Sequence, residues 1–272
     1  MKMHLSEINI YPIKSLKGIS LTEAKIEARG LSFDRRWMLV DEHNKFITQR
    51  EFPKMATLKV EIHSDHLRVL NGRDKVDVPF EAYGDAKARV TVWGSTVKAD
   101  VYQPVVSHWF SERLGLKCKL VRMPETTNRI VNPVYAVRKY EDTVSFADGY
   151  PFLLIGQASL DDLNSRLAEA LPMNRFRPNF VIEGAEPFEE DNWKKIRIGE
   201  TVFYVVKPCE RCIIPTIDQV KGIKGKEPLT TLNTYRNFKG KVLFGQNLIA
   251  EKPDATIRIG DEVEIIEVKR AT

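Results

Sequence analysis

Two of the three cysteines, Cys209 and Cys212, stand in the phrase Lys207-Pro208-Cys209-Glu210-Arg211-Cys212. They follow the alternating run Thr201-Val202-Phe203-Tyr204-Val205-Val206, which reads as a strand. Thiols at a strand end beside cationic neighbours suit metal binding or redox exchange. Structural zinc needs four ligands, yet Cys118 and the histidines His4, His43, His63, His66 and His108 show no paired spacing to complete such a site. A thioredoxin-like pair would open a helix, whereas Ile213-Ile214-Pro215-Thr216-Ile217 reads as extended chain. Two readings stay open: both thiols are small buried hydrophobes, or one of them is a thiolate for a soft metal, favoured by Arg211 and Lys207.

Other polar phrases carry anion-binding chemistry. Tyr11-Pro12-Ile13-Lys14-Ser15-Leu16-Lys17-Gly18 puts two lysines and a serine in a loop after the first strand. Asp34-Arg35-Arg36-Trp37 and Asn174-Arg175-Phe176-Arg177-Pro178-Asn179 each put two arginines ahead of a strand. Singly, such residues are ordinary solvated strand ends. Together they read as a cradle of guanidinium forks, a hydroxyl and amides for an anionic ligand.

Short alternating runs rich in Thr, Val, Ile and aromatics must position these loops, so strands should outnumber helices. Trp37–Asp41 and Lys45–Thr48 flank a turn, and Leu58–Ile62, Leu67–Leu70, Val76–Val78 and Val90–Val92 follow, with Asn71-Gly72 as a hairpin turn. Val105–Leu116 reads as a helix. A second helix is expected from Ser159 through Ala170, with Ser159 as N-cap and Asp162 completing a capping box. Strands return at Phe180–Ile182, Lys195–Ile198, Val202–Val206, Val242–Phe244 and Thr256–Val268. Ile196–Val202 and Ile257–Val263 echo one another, each reading as a strand, a turn at glycine and a second strand. The fold class is mainly β with some α, an N-terminal β-barrel-like module followed by a second β-barrel domain. The irregular stretch Pro124–Tyr140 sets the boundary, giving 1–123 and 124–272.

At 272 residues, 43% hydrophobic and 29% charged, the chain is an ordinary globular protein. The net charge of +5 is spread without blocks, which argues against nucleic acid and suits a small anionic ligand equally well. No apolar run reaches the roughly 18 residues that cross a bilayer, and the start shows no signal-peptide core. Together with the low cysteine count, this leads to an expected cytoplasmic protein with reduced thiols and no membrane partner.

The phrases at 11–18, 30–37, 146–152, 174–179, 209–212 and 244–247 together resemble the MOSC family, whose name refers to the C-terminus of molybdenum cofactor sulfurase. The resemblance covers nearly the whole chain, and it extends to bacterial reductases of N-hydroxylated bases and to mitochondrial amidoxime-reducing components. It implies a molybdenum cofactor whose metal is held by the pterin dithiolene and one protein cysteine, here Cys212, with Cys209 beside it. It further implies that Lys14, Ser15, Arg35, Arg177, Asn179, Arg211 and Asn247 contact the cofactor, and that Asp148, Gly149 and Tyr150 line the site. The implied reaction is reductive dehydroxylation of small N-hydroxylated substrates, with Cys212 catalytic and Tyr150 or Asp148 as the proton donor. No cysteine follows Cys212, whereas an appended ferredoxin module needs four. No iron–sulfur cluster is therefore expected in this chain, and electrons should come from a separate protein, a flavin reductase or a ferredoxin-like carrier. The N-terminal anchor of the mitochondrial members is likewise not expected. A persulfide-bearing sulfur carrier at Cys212 is the alternative. Pyridoxal phosphate is disfavoured because no lysine stands in a Schiff-base motif.

Overall fold

The structure, a computed structural model, describes residues 2–270. Strands hold 40% of the chain and helices 15%, so the class is mainly β with some α. The largest sheet runs, in spatial order, Val263–Val268, Trp193–Ile198, Thr201–Glu210, Lys241–Ala250, Phe152–Gly156, Phe180–Glu183, His4–Ile10 and Ile19–Leu21, with Asn237–Phe238 added to Lys241–Ala250. Its neighbours pair antiparallel except Phe152–Gly156 with Phe180–Glu183. A parallel pair needs a crossover, which the helix Gln157–Ser165 and the 3-10 turn Met173–Arg175 supply. Alternation is clear at the start of Thr201–Glu210, where Thr201, Phe203 and Val205 are buried and Val202 and Tyr204 are half-buried.

Residues 37–122 build a four-stranded sheet (Trp37–Val40, Lys119–Arg122, Ser95–Val101, Lys87–Val92) and a three-stranded one (Lys59–Ile62, His66–Asn71, Asp74–Pro79). The helix Pro104–Leu114 closes one core there, burying Val106 and Phe110 against Leu120 and ending at left-handed Gly115. The first 31 residues are woven into the other half. His4–Ile10 lies between Phe180–Glu183 and Ile19–Leu21, and Glu23–Glu27 pairs with Thr256–Arg258. Strands from both sides of the boundary expected at 123/124 thus share two sheets.

Four local expectations are corrected. The second helix spans Gln157–Ser165, not Ser159–Ala170, and Gly156 stands at its N-cap without a side-chain cap. Ser159 is instead buried inside the helix, donating to Glu190 Oε1 at 2.8 Å and accepting from the Phe188 N–H at 2.8 Å. A buried carboxylate from a distant segment outcompeted the local cap. The Ile257–Val263 echo is no hairpin, because Thr256–Arg258 joins Glu23–Glu27 while Val263–Val268 joins Trp193–Ile198. Only its counterpart at Ile196–Val202 folds on itself, with Gly199 at φ 56°. At Asn71-Gly72, only Gly72 takes positive φ, while Asn71 still pairs with Asp74 in the ladder. The chain after Cys212 is not extended but forms a 3-10 turn at Ile214–Thr216. Three residues give no helix N-terminus able to activate a thiol.

Gly245 bends the long strand Lys241–Ala250 at φ 80°. A Cβ there would stand 2.7 Å from Ile155 Cγ1 and 2.8 Å from the Leu154 carbonyl oxygen. The bend lets two strands meet closely just before Gln246 and Asn247.

Candidate functional site

The loop after the first strand is tied down by Ile13 and Leu16, both fully buried, and by the Lys14 N–H donating to the Trp37 carbonyl at 2.8 Å. Ser15 follows at φ 69°. Lys14 is driven inward, where its ammonium donates to Asp148 Oδ1 at 2.5 Å and the Phe146 carbonyl at 2.8 Å. Burial lowers the ammonium to about 8, a fall that Asp148 only partly opposes.

Arg35 and Arg177 also sit in the left-handed region, at φ 50° and 57°. Non-glycine residues are held there only where surrounding structure overdetermines them, and such positions gather at functional sites. Both guanidinium groups lie against the Tyr11 ring, at 4.4 and 4.1 Å. Arg35 donates to Asp34, Asn179 Oδ1 and the Arg177 carbonyl. Burial lowers Arg177 to about 10, so it remains a cation at neutral pH. Asn179 accepts from the Leu153 N–H at 3.1 Å and donates to the Asn9 carbonyl at 3.0 Å, locking two strands together. Beneath them Gln49 and Gln219 exchange amide hydrogen bonds, Gln49 donating to the Ser15 carbonyl and Gln219 accepting from Arg177.

Asp148 lies at the junction of the halves. Its carboxylate accepts from Lys14, from Arg50 Nη2 at 2.9 Å and from Trp93 Nε1 at 3.1 Å. Burial would raise it, but the Lys14 and Arg50 cations override that and hold it well below the usual carboxylate range, even with 53% of the side chain open to the pocket. As a proton donor Asp148 is therefore the wrong choice: it is a fixed anion that orients two cations. Arg129 pins its turn by donating to the carbonyls of Ser145, Ala147 and Asp148.

Cys212 follows the strand Thr201–Glu210, half-buried, with Arg50 Nη2 at 3.4 Å from its sulfur. Burial pushes the Cys209 thiol up by more than Arg211 brings it down, so the neighbour is a neutral thiol. Arg211 donates to the Phe176 carbonyl at 3.3 Å but leaves its buried Nε and Nη2 without a protein partner. Asn247 is fixed opposite Lys207 and donates to its carbonyl at 3.1 Å. The Tyr150 phenol is pushed up by burial, with Tyr135, Glu210 and Cys209 adding to the rise, so it stays protonated.

Many of these groups line one open pocket, with a cavity volume of about 130 Å³. Lys14, Ser15, Arg35, Asp148, Gly149, Tyr150, Arg177, Asn179, Arg211, Cys212 and Asn247, all named from the sequence, lie on its wall. Arg50 lies there too, and neither it nor Trp93, Arg129 and the Gln49–Gln219 pair was anticipated. No motif marks them; only an unexplained Gln49-Arg50 after a strand hints at one. Five cations (Lys14, Arg35, Arg50, Arg177, Arg211) face two carboxylates, Asp148 and Glu210, on the wall. Among the described residues no three His, Cys, Asp or Glu side chains converge as a metal site. A metal at Cys212 would thus have at most two protein ligands of these types and would need the rest from a bound group.

Fold and site together define a mainly β protein whose two halves enclose a cation-lined pocket with one thiol beside an arginine. Profiles described as "MOSC N-terminal beta barrel domain" and "MOSC domain" match residues 2–117 and 141–264. The chain is 34% identical to mitochondrial amidoxime-reducing component 1 of Mus musculus, covering 96% of this chain and 82% of that protein. It is 30% identical to the Homo sapiens protein of that name, with 96% and 82% covered. Against molybdenum cofactor sulfurase of Oryza sativa subsp. japonica it is 36% identical over 89% of this chain, which spans 32% of that protein's length. The chain belongs to the MOSC family. Among the described residues no helix is long and apolar enough to cross a membrane.

Proposed function

We propose that the protein is a molybdenum-cofactor-dependent reductase of N-hydroxylated compounds, fed by a separate electron-transfer protein, a flavin reductase or ferredoxin-like carrier. The observation that carries this reading is the Cys212 sulfur, placed beside Arg50 in a pocket with five cations and with two buried Arg211 nitrogens lacking any protein partner. That donor set fits a phosphate-bearing pterin with a thiolate-seeking metal: planar guanidinium forks suit phosphate, and a lone thiolate suits a soft ion. In this reading Cys212 is the protein's metal ligand. Lys14, Ser15, Arg35, Arg177 and Arg211 hold the anionic part, and Asn179 and Asn247 hold the walls. When bound, the molybdenum cofactor supplies the two-electron redox chemistry.

The reaction R–NH–OH + 2e⁻ + 2H⁺ → R–NH₂ + H₂O breaks the N–O bond. The nitrogen is reduced, the electron carrier is oxidised, and the oxygen leaves as water. Asp148 stays ionised and fixes Lys14 and Arg50, so the hydrogen bond to the departing oxygen is assigned to the Tyr150 hydroxyl, which stays loaded with its proton. Protons are replenished through the open mouth. Pyridoxal phosphate would need a lysine free to form an imine, whereas Lys14, the lysine on the wall, is committed to Asp148 and Phe146. A cytoplasmic, reducing setting keeps the three cysteines as the free thiols found here.

Protein made in a molybdenum-replete host should carry about one molybdenum per chain, as one ligand cysteine implies. Cys212→Ser should lose the metal while its circular dichroism stays that of the parent; molybdenum retained in this variant would sink the proposal. A sulfur carrier would instead show cyanide-labile sulfur on Cys212 and no molybdenum.

A further inference from the structure

Trp93 reaches Asp148 from a strained place in the chain. It occupies the two-residue turn between the strands Lys87–Val92 and Ser95–Val101, at φ 53°, a position that favours glycine or asparagine over a bulky ring. It is 49% exposed, so burial does not hold it there. Three contacts do. Nε1 donates to Asp148 Oδ1 at 3.1 Å, the Arg50 guanidinium lies 4.8 Å from the ring centre, and Phe46 packs against it at 5.1 Å. The same Arg50 reaches the Cys212 sulfur at 3.4 Å. A strained aromatic residue from the N-terminal half is thus held against Asp148 and Arg50 of the pocket wall, one side chain away from the thiol, with much of its ring open to solvent.

From this geometry we infer that Trp93 is the specificity-determining wall of the substrate site, on which flat N-hydroxylated compounds such as hydroxylaminopurines stack. The inference rests on the reductase reading above and says which members of that substrate class the chain prefers. A purine presents a π-face that a tryptophan ring accepts irrespective of ring substituents, whereas hydroxylamine or a small aliphatic amidoxime has none. Arg50, lying between the ring and Cys212, ties the ring to the wall that carries the thiol. Trp93 contacts substrate but moves no proton or electron.

The test uses the molybdenum-loaded protein with a chemically reduced viologen dye as electron source, comparing 6-hydroxylaminopurine with hydroxylamine. Base–aromatic stacking predicts that Trp93→Ala lowers the ratio of kcat/KM for purine over hydroxylamine about tenfold, mainly through KM for the purine. Trp93→Phe, which keeps a π-face but lacks the N–H to Asp148, should hold the ratio within about threefold of the parent. If Trp93 merely staples the hairpin to Asp148, both variants would lose activity on both compounds alike and the ratio would not move; that result overturns the inference. So does a ratio that falls equally in the Phe and Ala variants. Parent protein that holds molybdenum yet reduces neither compound would overturn the reductase reading itself, and this inference with it.

Discussion

Replacing Asp148 by asparagine removes the one carboxylate that compensates a buried ammonium. Lys14 keeps 6% of its side-chain surface, and its ammonium has Asp148 Oδ1 at 2.5 Å and the Phe146 carbonyl at 2.8 Å. Stranding a buried charge costs about 3–5 kcal/mol. Asp148 is half-exposed, so solvent screens part of its field and about 2 kcal/mol is expected. For a chain of this size that lowers Tm by about 4–8 °C. The converse change, Lys14→Met, strands nothing: Asp148 still pairs with Arg50 at 2.9 Å, and methionine fills the apolar slot beside Phe46. Its effect should stay within about 1 kcal/mol. In Asp148→Asn/Lys14→Met no ammonium remains to be stranded, although Arg50 still loses its carboxylate, so the double variant should be less destabilised than the sum of the two singles. Thermal unfolding of the four proteins at neutral pH measures this. If the double variant is as unstable as the sum of the singles, Asp148 and Lys14 are not coupled and the account of the site's charge balance fails.

The same pair fixes a pH dependence. Lys14 titrates near about 8 when folded and 10.5 when free, so between these values the unfolded chain binds more protons and stability rises with pH. The difference in Tm between parent and Lys14→Met should therefore grow in the parent's favour from pH 8 to 10; a flat difference would show that burial does not lower Lys14. Gly245→Ala forces a Cβ to within 2.7 Å of Ile155 at φ 80°, and should cost more than about 2 kcal/mol and broaden the pocket's thermal transition, read by circular dichroism. An alanine variant as stable as the parent would show that the strand can straighten.

The sequence by itself determined the class of the fold and most of the pocket wall. Alternation in runs such as Thr201–Val206 follows from the pleat, and the clustering of arginine, lysine and serine at strand ends is a property of residue types that needs no coordinates. Tertiary structure decided what those residues do to one another. Ser159 reads as a cap until Glu190, from a segment 31 residues away, takes its hydroxyl. Asp148 reads as an acid until Lys14 and Arg50, 134 and 98 residues away, hold it as an anion. Arg50 and Trp93 carry no motif, because their meaning lies in distances of 3.4 Å to one sulfur and 3.1 Å to one carboxylate across the two halves. Charge and hydrogen bonding act through space, so spacing along the chain names the donors and only the folded geometry assigns their partners.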